Sequence, residues 1–235
     1  FLDGTADLFP GSVISNANGS VSLVDFNNDG FVDFRNGSFS YRNNGGTNAI
    51  YTGNSDADSV WGDYNNDGLF DRFIWVGSGF LQRLNNTDGT RFTTYHNNAV
   101  MPLLPPAVTN GVTVYDSSTR QGATWGDWNN DGWLDLYVTG YELQWSDPSG
   151  FPDAVLMNNA GSSFSMTVLN ATTNNRARGV TACDFDQDGD LDIYVSCYRL
   201  RENNLWLNDG SGNFTDVATA RGVAGDGTAY NDRGH

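Results

Sequence analysis

One nine-residue motif, present four times, constrains the fold of this chain more than any other feature of its sequence. The motif reads Asp-x-Asn/Asp-x-Asp-Gly-x-x-Asp and spans residues 25–33, 63–71, 127–135 and 184–192. Repeats at intervals of this size are typical of propellers, in which every unit is one small sheet. We number the motif residues 1 to 9 and refer to the four copies as loops 1 to 4.

Short apolar runs flank every loop and predict a pair of strands around it. The pairs cover residues 21–24 and 31–34, 60–61 and 70–76, 123–125 and 134–138, and 180–183 and 191–195. An Asn-rich or Asp-Gly turn follows each pair, which indicates a further hairpin. We therefore predict an all-β fold, a β-propeller-like array of about four blades with almost no helix.

Both ends of the chain resemble parts of this repeat. Residues 1–7 are similar to residues 214–220, and residues 233–235 are similar to residues 178–180, which precede loop 4. We expect one repeat domain over residues 1–235, with an incomplete repeat at each terminus. Such ends can be joined within one ring, between neighbouring molecules, or through further sequence of a longer parent chain, and the sequence leaves all three open.

The residue types at alternate loop positions favour a hard cation. Oxygens from positions 1, 3 and 5 converge, Gly at position 6 permits a sharp reversal, the position 7 carbonyl can point inward, and Asp at position 9 closes the site. Mg²⁺ suits such a loop less well, because it usually keeps several waters. The sequence therefore predicts about four Ca²⁺ ions. The predicted ligands are Asp25, Asn27, Asp29, Phe31 and Asp33; Asp63, Asn65, Asp67, Leu69 and Asp71; Asp127, Asn129, Asp131, Trp133 and Asp135; and Asp184, Asp186, Asp188, Asp190 and Asp192.

These loops are not EF-hands. An EF-hand carries an acidic residue at position 12 and is flanked by helices. Position 12 is occupied by Asn36, Ile74, Val138 or Val195, and strand-like runs flank every loop.

The charge balance narrows the classes of partner. The formal net charge is −16, with 28 acidic residues and 12 basic ones, and half of the acidic residues lie in the four loops. So negative a chain is not expected to bind nucleic acid. No apolar run approaches the roughly 20 residues that span a bilayer, so we expect no membrane insertion.

Several segments resemble a known repeat family. Residues 61–68 read Trp-Gly-Asp-Tyr-Asn-Asn-Asp-Gly, residues 125–132 read Trp-Gly-Asp-Trp-Asn-Asn-Asp-Gly, and residues 134–138 and 191–195 read Leu-Asp-Leu-Tyr-Val and Leu-Asp-Ile-Tyr-Val. This pattern is similar to FG-GAP/VCBS-type repeats. Members of that group are typically secreted or cell-surface β-propellers, including integrin-α heads and some fungal lectins, with Ca²⁺ in the inter-strand loop. The first repeat departs from the pattern, since Leu23 and Val24 replace Trp-Gly.

The resemblance implies an extracellular or cell-surface scaffold with a structural or adhesive role. Its partners would be further copies of itself, joined head to tail into oligomers or fibres, or other extracellular proteins. The alternative is a lectin-like module that binds glycans, for which Trp133, Trp145 and Trp206 are candidate contact residues. The position 2 aromatics are expected to pack between blades and not to stack on sugars. They are Phe26, Tyr64, Trp128 and Phe185.

No catalytic constellation is evident, and we expect no enzyme. His96 and His235 are the only histidines and have no accompanying nucleophile. The paired carboxylates belong to the loops, where Ca²⁺ would keep them ionised.

Two kinds of covalent modification are also suggested by the sequence. Cys183 and Cys197 flank loop 4 and predict either a disulfide or two buried thiols. Asn-x-Ser/Thr sequons are candidate glycosylation sites if the chain is secreted by a eukaryote. They lie at Asn18, Asn36, Asn85, Asn170 and Asn213.

Overall fold

Four antiparallel sheets of four strands each make up the architecture of the computed structural model. It describes residues 21–36, 39–47, 49–54, 59–75, 80–84, 92–95, 98–114, 120–143, 150–170, 176–198 and 201–225. In every sheet the strands pair with their neighbours in chain order. The predicted all-β array of about four blades is confirmed, whereas the predicted half-repeats at the termini lie outside the described residues.

The strands are named in chain order. Blade 1 contains β1 (Val21–Val24), β2 (Asp33–Asn36), β3 (Phe39–Asn43) and β4 (Ala49–Asn54), and blade 2 contains β5 (Ser59–Gly62), β6 (Asp71–Ile74), β7 (Phe80–Leu84) and β8 (Phe92–Tyr95). A separate hairpin consists of β9 (Ala107–Thr109) and β10 (Val112–Val114). Blade 3 contains β11 (Ala123–Gly126), β12 (Asp135–Val138), β13 (Asp153–Asn158) and β14 (Phe164–Leu169), and blade 4 contains β15 (Ala177–Cys183), β16 (Asp192–Cys197), β17 (Asn204–Asn208) and β18 (Phe214–Asp216).

Each loop connects the first two strands of its blade. The second strand begins at loop position 9 in all four blades, two residues later than the apolar run suggests for loop 1 and one residue later for the others. Positions 7 and 8 remain in the loop, because the position 7 amide donates to the position 5 carboxylate and not to the strand ladder.

The blades stand side by side through their first strands. Strand β5 packs against β1 and β11, and β11 packs against β15. No comparable packing joins β15 to β1 in the described ranges. The described part of the chain is therefore an open array of four blades.

The hydrophobic core lies between the blades. One cluster joins blades 2 and 3 and includes Tyr64, Phe73, Leu136 and Phe164. A second cluster joins blades 3 and 4 around Trp128, Ile193 and Trp206. Blade 3, which contributes to both clusters, therefore buries apolar side chains on both of its faces.

Helix is nearly absent, as predicted. The single helix of the described residues is α1 (Ala218–Arg221), which ends at Gly222 in the left-handed conformation (φ 72°) that glycine adopts without strain. It packs its Ala218 against Leu205 beneath blade 4. None of the described segments forms a helix with the length and apolar character needed to cross a membrane.

Candidate metal centre

All four loops share one hydrogen-bonded conformation. The position 1 carboxylate accepts the amide N–H of position 5 on one oxygen and that of position 6 on the other, at 2.7–3.2 Å. The position 5 carboxylate in turn accepts the amide N–H of position 7, at 2.9–3.0 Å. The loop carboxylates therefore face inward toward the backbone turn, where a cation would lie.

This turn depends on backbone conformations that most residues avoid. Position 4 is left-handed in every loop, with φ between 53° and 62°, and the position 6 glycine has φ between 83° and 100°. Asn tolerates the left-handed region better than most residues, and glycine has no Cβ to clash there. The Asn or Gln at position 4 and the Gly at position 6 are thus consequences of the turn. Position 4 is occupied by Asn28, Asn66, Asn130 and Gln187.

Loop 4 brings together the densest group of carboxylates. Oxygens of Asp184, Asp186 and Asp188 lie within 4.8 Å of one another on an exposed surface. The pKa of Asp186 is raised, first by desolvation and then by the neighbouring carboxylates Asp188 and Asp192. Like charges this close repel each other, and a divalent cation would offset the repulsion. The donor set of loop 4 therefore fits Ca²⁺.

Loop 1 contains an unsatisfied oxygen that fits the same ion. The side-chain amide of Asn27 donates to Asp29 (2.9 Å), while its Oδ1 is shielded from solvent and has no hydrogen-bond partner. A buried acceptor without a donor is costly, and metal coordination would remove that cost. Asn129 makes the equivalent bond to Asp131 in loop 3, at 2.9 Å.

Loop 2 differs from the other loops because a positively charged side chain already pairs with one of its carboxylates. Arg83 from β7 forms an ion pair with the position 5 carboxylate, Asp67, at 3.1 Å. Both side chains are partly exposed, so this pair contributes little to stability. It would, however, lower the negative charge available to a metal in loop 2 relative to the other three loops.

The position 9 aspartates connect the start of each loop to the third strand of the same blade. They are buried, and where the bonds are resolved one carboxylate oxygen accepts the position 2 amide N–H (2.9–3.0 Å) and the other accepts an amide N–H from the third strand (2.7–2.9 Å). Burial raises the pKa of Asp33 to about 6, against these bonds from Phe26 and Asn43, and raises that of Asp135 to about 6. The four residues are Asp33, Asp71, Asp135 and Asp192.

An asparagine at the end of the third strand connects neighbouring blades, a role that the turn pattern alone did not reveal. Asn158 donates from Nδ2 to the carbonyls of Leu134 in its own blade (2.9 Å) and Tyr64 in the preceding one (2.7 Å). Asn208 does the same with Leu191 (3.1 Å) and Trp128 (2.8 Å). The signal in the sequence was an Asn at one fixed place before each turn.

The position 2 aromatics pack between blades, as expected for three of the four. Phe26 stacks on Trp61 (6.1 Å between centroids), Tyr64 contacts Phe164 (5.7 Å), and Trp128 contacts Phe214 edge-on (6.1 Å). Each of these partners belongs to the following blade. Phe185 of loop 4 is 41% exposed, because no blade follows it in the described residues.

The disulfide prediction is wrong in this structure. Cys183 and Cys197 form no disulfide, and of the two thiols that the alternative prediction placed in the interior only Cys197 is buried, whereas Cys183 is exposed. They lie at opposite ends of one strand pair, since Cys183 is opposite Asp192 and Cys197 is opposite Ala177. Five residues of β16 separate the two rungs, about 17 Å at 3.3 Å per residue, and disulfides need Cα atoms within about 7 Å. Blade 3 has Gly126 and Gly140 at the matching positions, and these two glycines likewise lie at opposite ends of the β11–β12 hairpin.

Of the proposed glycan contacts, Trp206 is buried in the core between blades 3 and 4. Trp133 is half-buried in loop 3, and Trp145 lies outside the described residues. Among the sequons, Asn213 is exposed in the last turn, and Asn170 is half-buried beside Asp153. Asn18 and Asn85 lie outside the described residues, as does the side chain of Asn36.

Comparison with known proteins identifies no family. No protein-family model matches the chain, and no curated protein sequence does. Among solved structures, it is similar to an Agrocybe aegerita lectin described as recognising non-reducing terminal N-acetylglucosamine, with 21% identity, a TM-score of 0.48, and coverage of 82% of this chain and 49% of the lectin. It is also similar to the Photorhabdus luminescens Tc holotoxin pore, with 17% identity, a TM-score of 0.43, and coverage of 87% of this chain and 9% of that one. The chain thus spans about half of the lectin.

Proposed function

We propose that this chain is a Ca²⁺-stabilised extracellular or cell-surface scaffold of the FG-GAP/VCBS type, with a structural or adhesive role and no enzymatic activity. In this proposal residues 1–235 form one repeat domain that binds about four Ca²⁺ through the loop residues named above. Two observations carry the proposal: the hydrogen-bonded conformation that the four loops share, and the approach of the Asp184, Asp186 and Asp188 carboxylates within 4.8 Å of one another in loop 4.

A metal at these points would act on the whole array. Adjacent loops contact each other: the Asn66 amide donates to the Gly132 carbonyl (3.0 Å), and the Asn130 amide donates to Asp190 (2.6 Å). Fixing one loop would therefore fix the joint with the next blade. An ion that binds the folded loop and not the unfolded chain adds its binding free energy to stability. Rigidity of this kind suits a protein whose role is mechanical.

Thermal unfolding in Ca²⁺, in Mg²⁺ and after EGTA tests the proposal. We expect Ca²⁺ to raise the melting temperature well above the EGTA value, with a much smaller effect of Mg²⁺. Removing one ligand in Asp184→Asn should lower the calcium stoichiometry by one in isothermal titration. Identical melting curves in Ca²⁺ and EGTA would exclude a stabilising calcium site.

Asp209→Asn is the matched control for that substitution. Asp209 lies in the turn after β17 and accepts the amide N–H of Ser211 (2.9 Å), outside the loops. Blade 3 has Asn159 at the corresponding place, so the exchange reproduces a residue that the repeat already tolerates. The calcium stoichiometry of this variant should equal that of the wild type.

Carbohydrate binding is the second candidate, and Trp133 is the observation in its favour. Trp133 is half-buried at position 7 of loop 3, two residues after the candidate ligand Asp131, and its ring lies against Gly161 in the turn after β13. An aromatic face beside polar groups is a common way to hold a sugar ring. A glycan array in saturating Ca²⁺ should then give a signal that Trp133→Ala removes, and an array without signal would reject this candidate.

A further inference from the structure

All three joints between blades share two contacts, made by the position 2 aromatic and the position 4 amide of the preceding blade, so each blade has two different faces. The face directed toward the following blade presents the position 2 aromatic and the position 4 amide. The face directed toward the preceding blade presents position 8, the residue two places before the loop, and the third-strand asparagine. We call these the forward face and the receiving face.

Joint 2/3 shows how the two faces fit. On the forward face of blade 2, a Cβ placed on Gly62 would lie 2.9 Å from Leu134 and 3.0 Å from Trp125 of blade 3. Leu134 is position 8 and Trp125 precedes loop 3 by two places, so both belong to the receiving face. At this joint the residue directly before loop 2 therefore touches the residue two places before loop 3, whereas at joint 3/4 a Cβ on Gly126 would meet Trp128 of its own loop.

Blade 4 presents a forward face without a partner in the described residues. Phe185 is 41% exposed, and Cys183, which corresponds to Gly62, is also exposed. Gln187 occupies position 4 with the same left-handed backbone (φ 62°) as the three asparagines that reach the following loop. The elements that close each internal joint are thus in place.

Blade 1 presents the complementary receiving face. Leu23, which corresponds to Trp61 and Trp125, is 70% exposed, and Val32 at position 8 is 55% exposed. Asn43 donates to the Val32 carbonyl of its own blade (3.1 Å), but the described residues offer its second amide hydrogen no carbonyl of a preceding blade. In Asn158 and Asn208 that hydrogen crosses the joint.

We propose that the forward face of blade 4 docks onto the receiving face of blade 1 in a second copy of this chain, repeating the internal joint. Phe185 and Cys183 of one copy then cover Leu23 and Val32 of the next, and Asn43 donates to the Phe185 carbonyl. Because the two faces differ, the contact is head to tail, and repeating it gives a closed ring or an open chain according to the rotation between neighbouring copies.

This inference rests on the proposed function in one respect. The joint brings loop 4, with five aspartates, next to loop 1, with three. The internal joint between loops 3 and 4 shows how close such loops come, since Asn130 reaches Asp190 at 2.6 Å. Bound Ca²⁺ would offset the repulsion between the loops, so association should require Ca²⁺ and weaken on chelation.

Disulfide trapping tests the contact directly. In Leu23→Cys the new thiol should lie against Cys183 of the neighbouring copy, as the positions of Trp125 and Gly62 do at the internal joint. Mild oxidation with copper phenanthroline in Ca²⁺ should then give a ladder of dimers, trimers and longer chains on a non-reducing gel. Proximity should raise the yield about tenfold over a control cysteine at an exposed apolar site outside the joint, Val108→Cys.

Light scattering provides a second measurement on uncross-linked protein. We expect the average mass of the wild type to rise with concentration up to about 100 μM. The association constant derived from this rise should be at least tenfold lower in Phe185→Asp and in Leu23→Asp. An equimolar mixture of these two variants should yield dimers, because each retains one intact face. Val108→Asp should associate as the wild type does.

Three outcomes would overturn the proposal. One is a Leu23→Cys yield no higher than that of Val108→Cys. Another is a cross-link confined to single chains, which would mean that blade 4 closes onto blade 1 of the same molecule. The third is wild-type protein that remains monomeric in Ca²⁺. The melting curves in Ca²⁺ and EGTA are independent of all three, so calcium stabilisation can hold while the docking fails.

Discussion

The asparagine at the end of the third strand offers a quantitative test of how the blades are joined. Asn208 is buried and makes three side-chain hydrogen bonds: Nδ2 donates to the carbonyls of Trp128 (2.8 Å) and Leu191 (3.1 Å), and Oδ1 accepts the Gly212 amide N–H (3.1 Å). Only the bond to Trp128 crosses to another blade. Asn208→Ala removes all three and leaves their partners unsatisfied.

The cost follows from the number of bonds lost. A hydrogen bond contributes about 1 kcal/mol net, and a buried partner left unpaired adds to the loss, so we expect Asn208→Ala to lower the free energy of unfolding by about 3 to 4 kcal/mol. Asn158 makes the three equivalent bonds: Nδ2 donates to the carbonyls of Tyr64 and Leu134, and Oδ1 accepts the Gly161 amide N–H. Asn158→Ala should therefore lower the free energy of unfolding by the same amount. For a chain of this size 1 kcal/mol corresponds to about 2–4 °C in melting temperature.

Asn43→Ala is the internal control. Asn43 retains the bonds within its own blade, to the Val32 carbonyl (3.1 Å) and from the Gly46 amide N–H (2.7 Å), but has no described bond to a preceding blade. Its removal should therefore cost about 1 to 2 kcal/mol less than removal of Asn208 or Asn158. Urea unfolding of dilute protein in EGTA measures all three free energies without contributions from calcium or association.

Equal losses for the three variants would refute the assignment of a bond between blades. A loss below about 0.5 kcal/mol for Asn208→Ala would show that water replaces its bonds, contrary to the burial of the site.

Three further predictions address the loops, the packing and the thiols. Asp33 and Asp135 have pKa values of about 6 in the folded protein and near 4 in the unfolded chain, so the folded state binds their protons more tightly. Their contribution to the free energy of unfolding is therefore fully present below pH 4 and is lost as the pH rises through 6. Metal-free protein should therefore lose up to about 2 to 3 kcal/mol per group over this range, and calcium affinity should rise with pH, as unfolding and calorimetry will measure. Gly62→Ala should cost about 1–3 kcal/mol in urea unfolding, since the methyl would overlap Leu134 and Trp125, and no change would contradict the close packing. A maleimide should label one thiol, Cys183, in native monomer and two after unfolding, whereas no labelling at all would reinstate the disulfide.

The loops were predictable from sequence because their interactions are local. The carboxylate of Asp127 accepts the amides of Asp131 and Gly132, only four and five residues away. Four copies in one register therefore determine four turns of one shape, and the apolar runs around them determine the strands. Burial of the position 2 aromatics was predictable for a related reason, since a large ring at a fixed place in every repeat indicates a contact between repeats.

Interactions between distant residues were decided only by the tertiary structure. The register of β15 with β16 separates Cys183 from Cys197, although their flanking of one loop suggested proximity. Burial of Trp206 depends on blade 3, which packs over it. Arg120 likewise donates to the carbonyls of Pro105, Thr139 and Pro152 in a buried site that no motif marks.

The two unlike faces of the array illustrate the same division. The sequence by itself determined that the four repeats have the same local shape, because each loop is held by hydrogen bonds within its own nine residues. It did not reveal that Asn158 and Asn208 reach back to the preceding blade, or that Leu23 and Phe185 remain exposed at the two ends. Those features depend on which blades are neighbours, and burial becomes defined only when separate sheets are stacked.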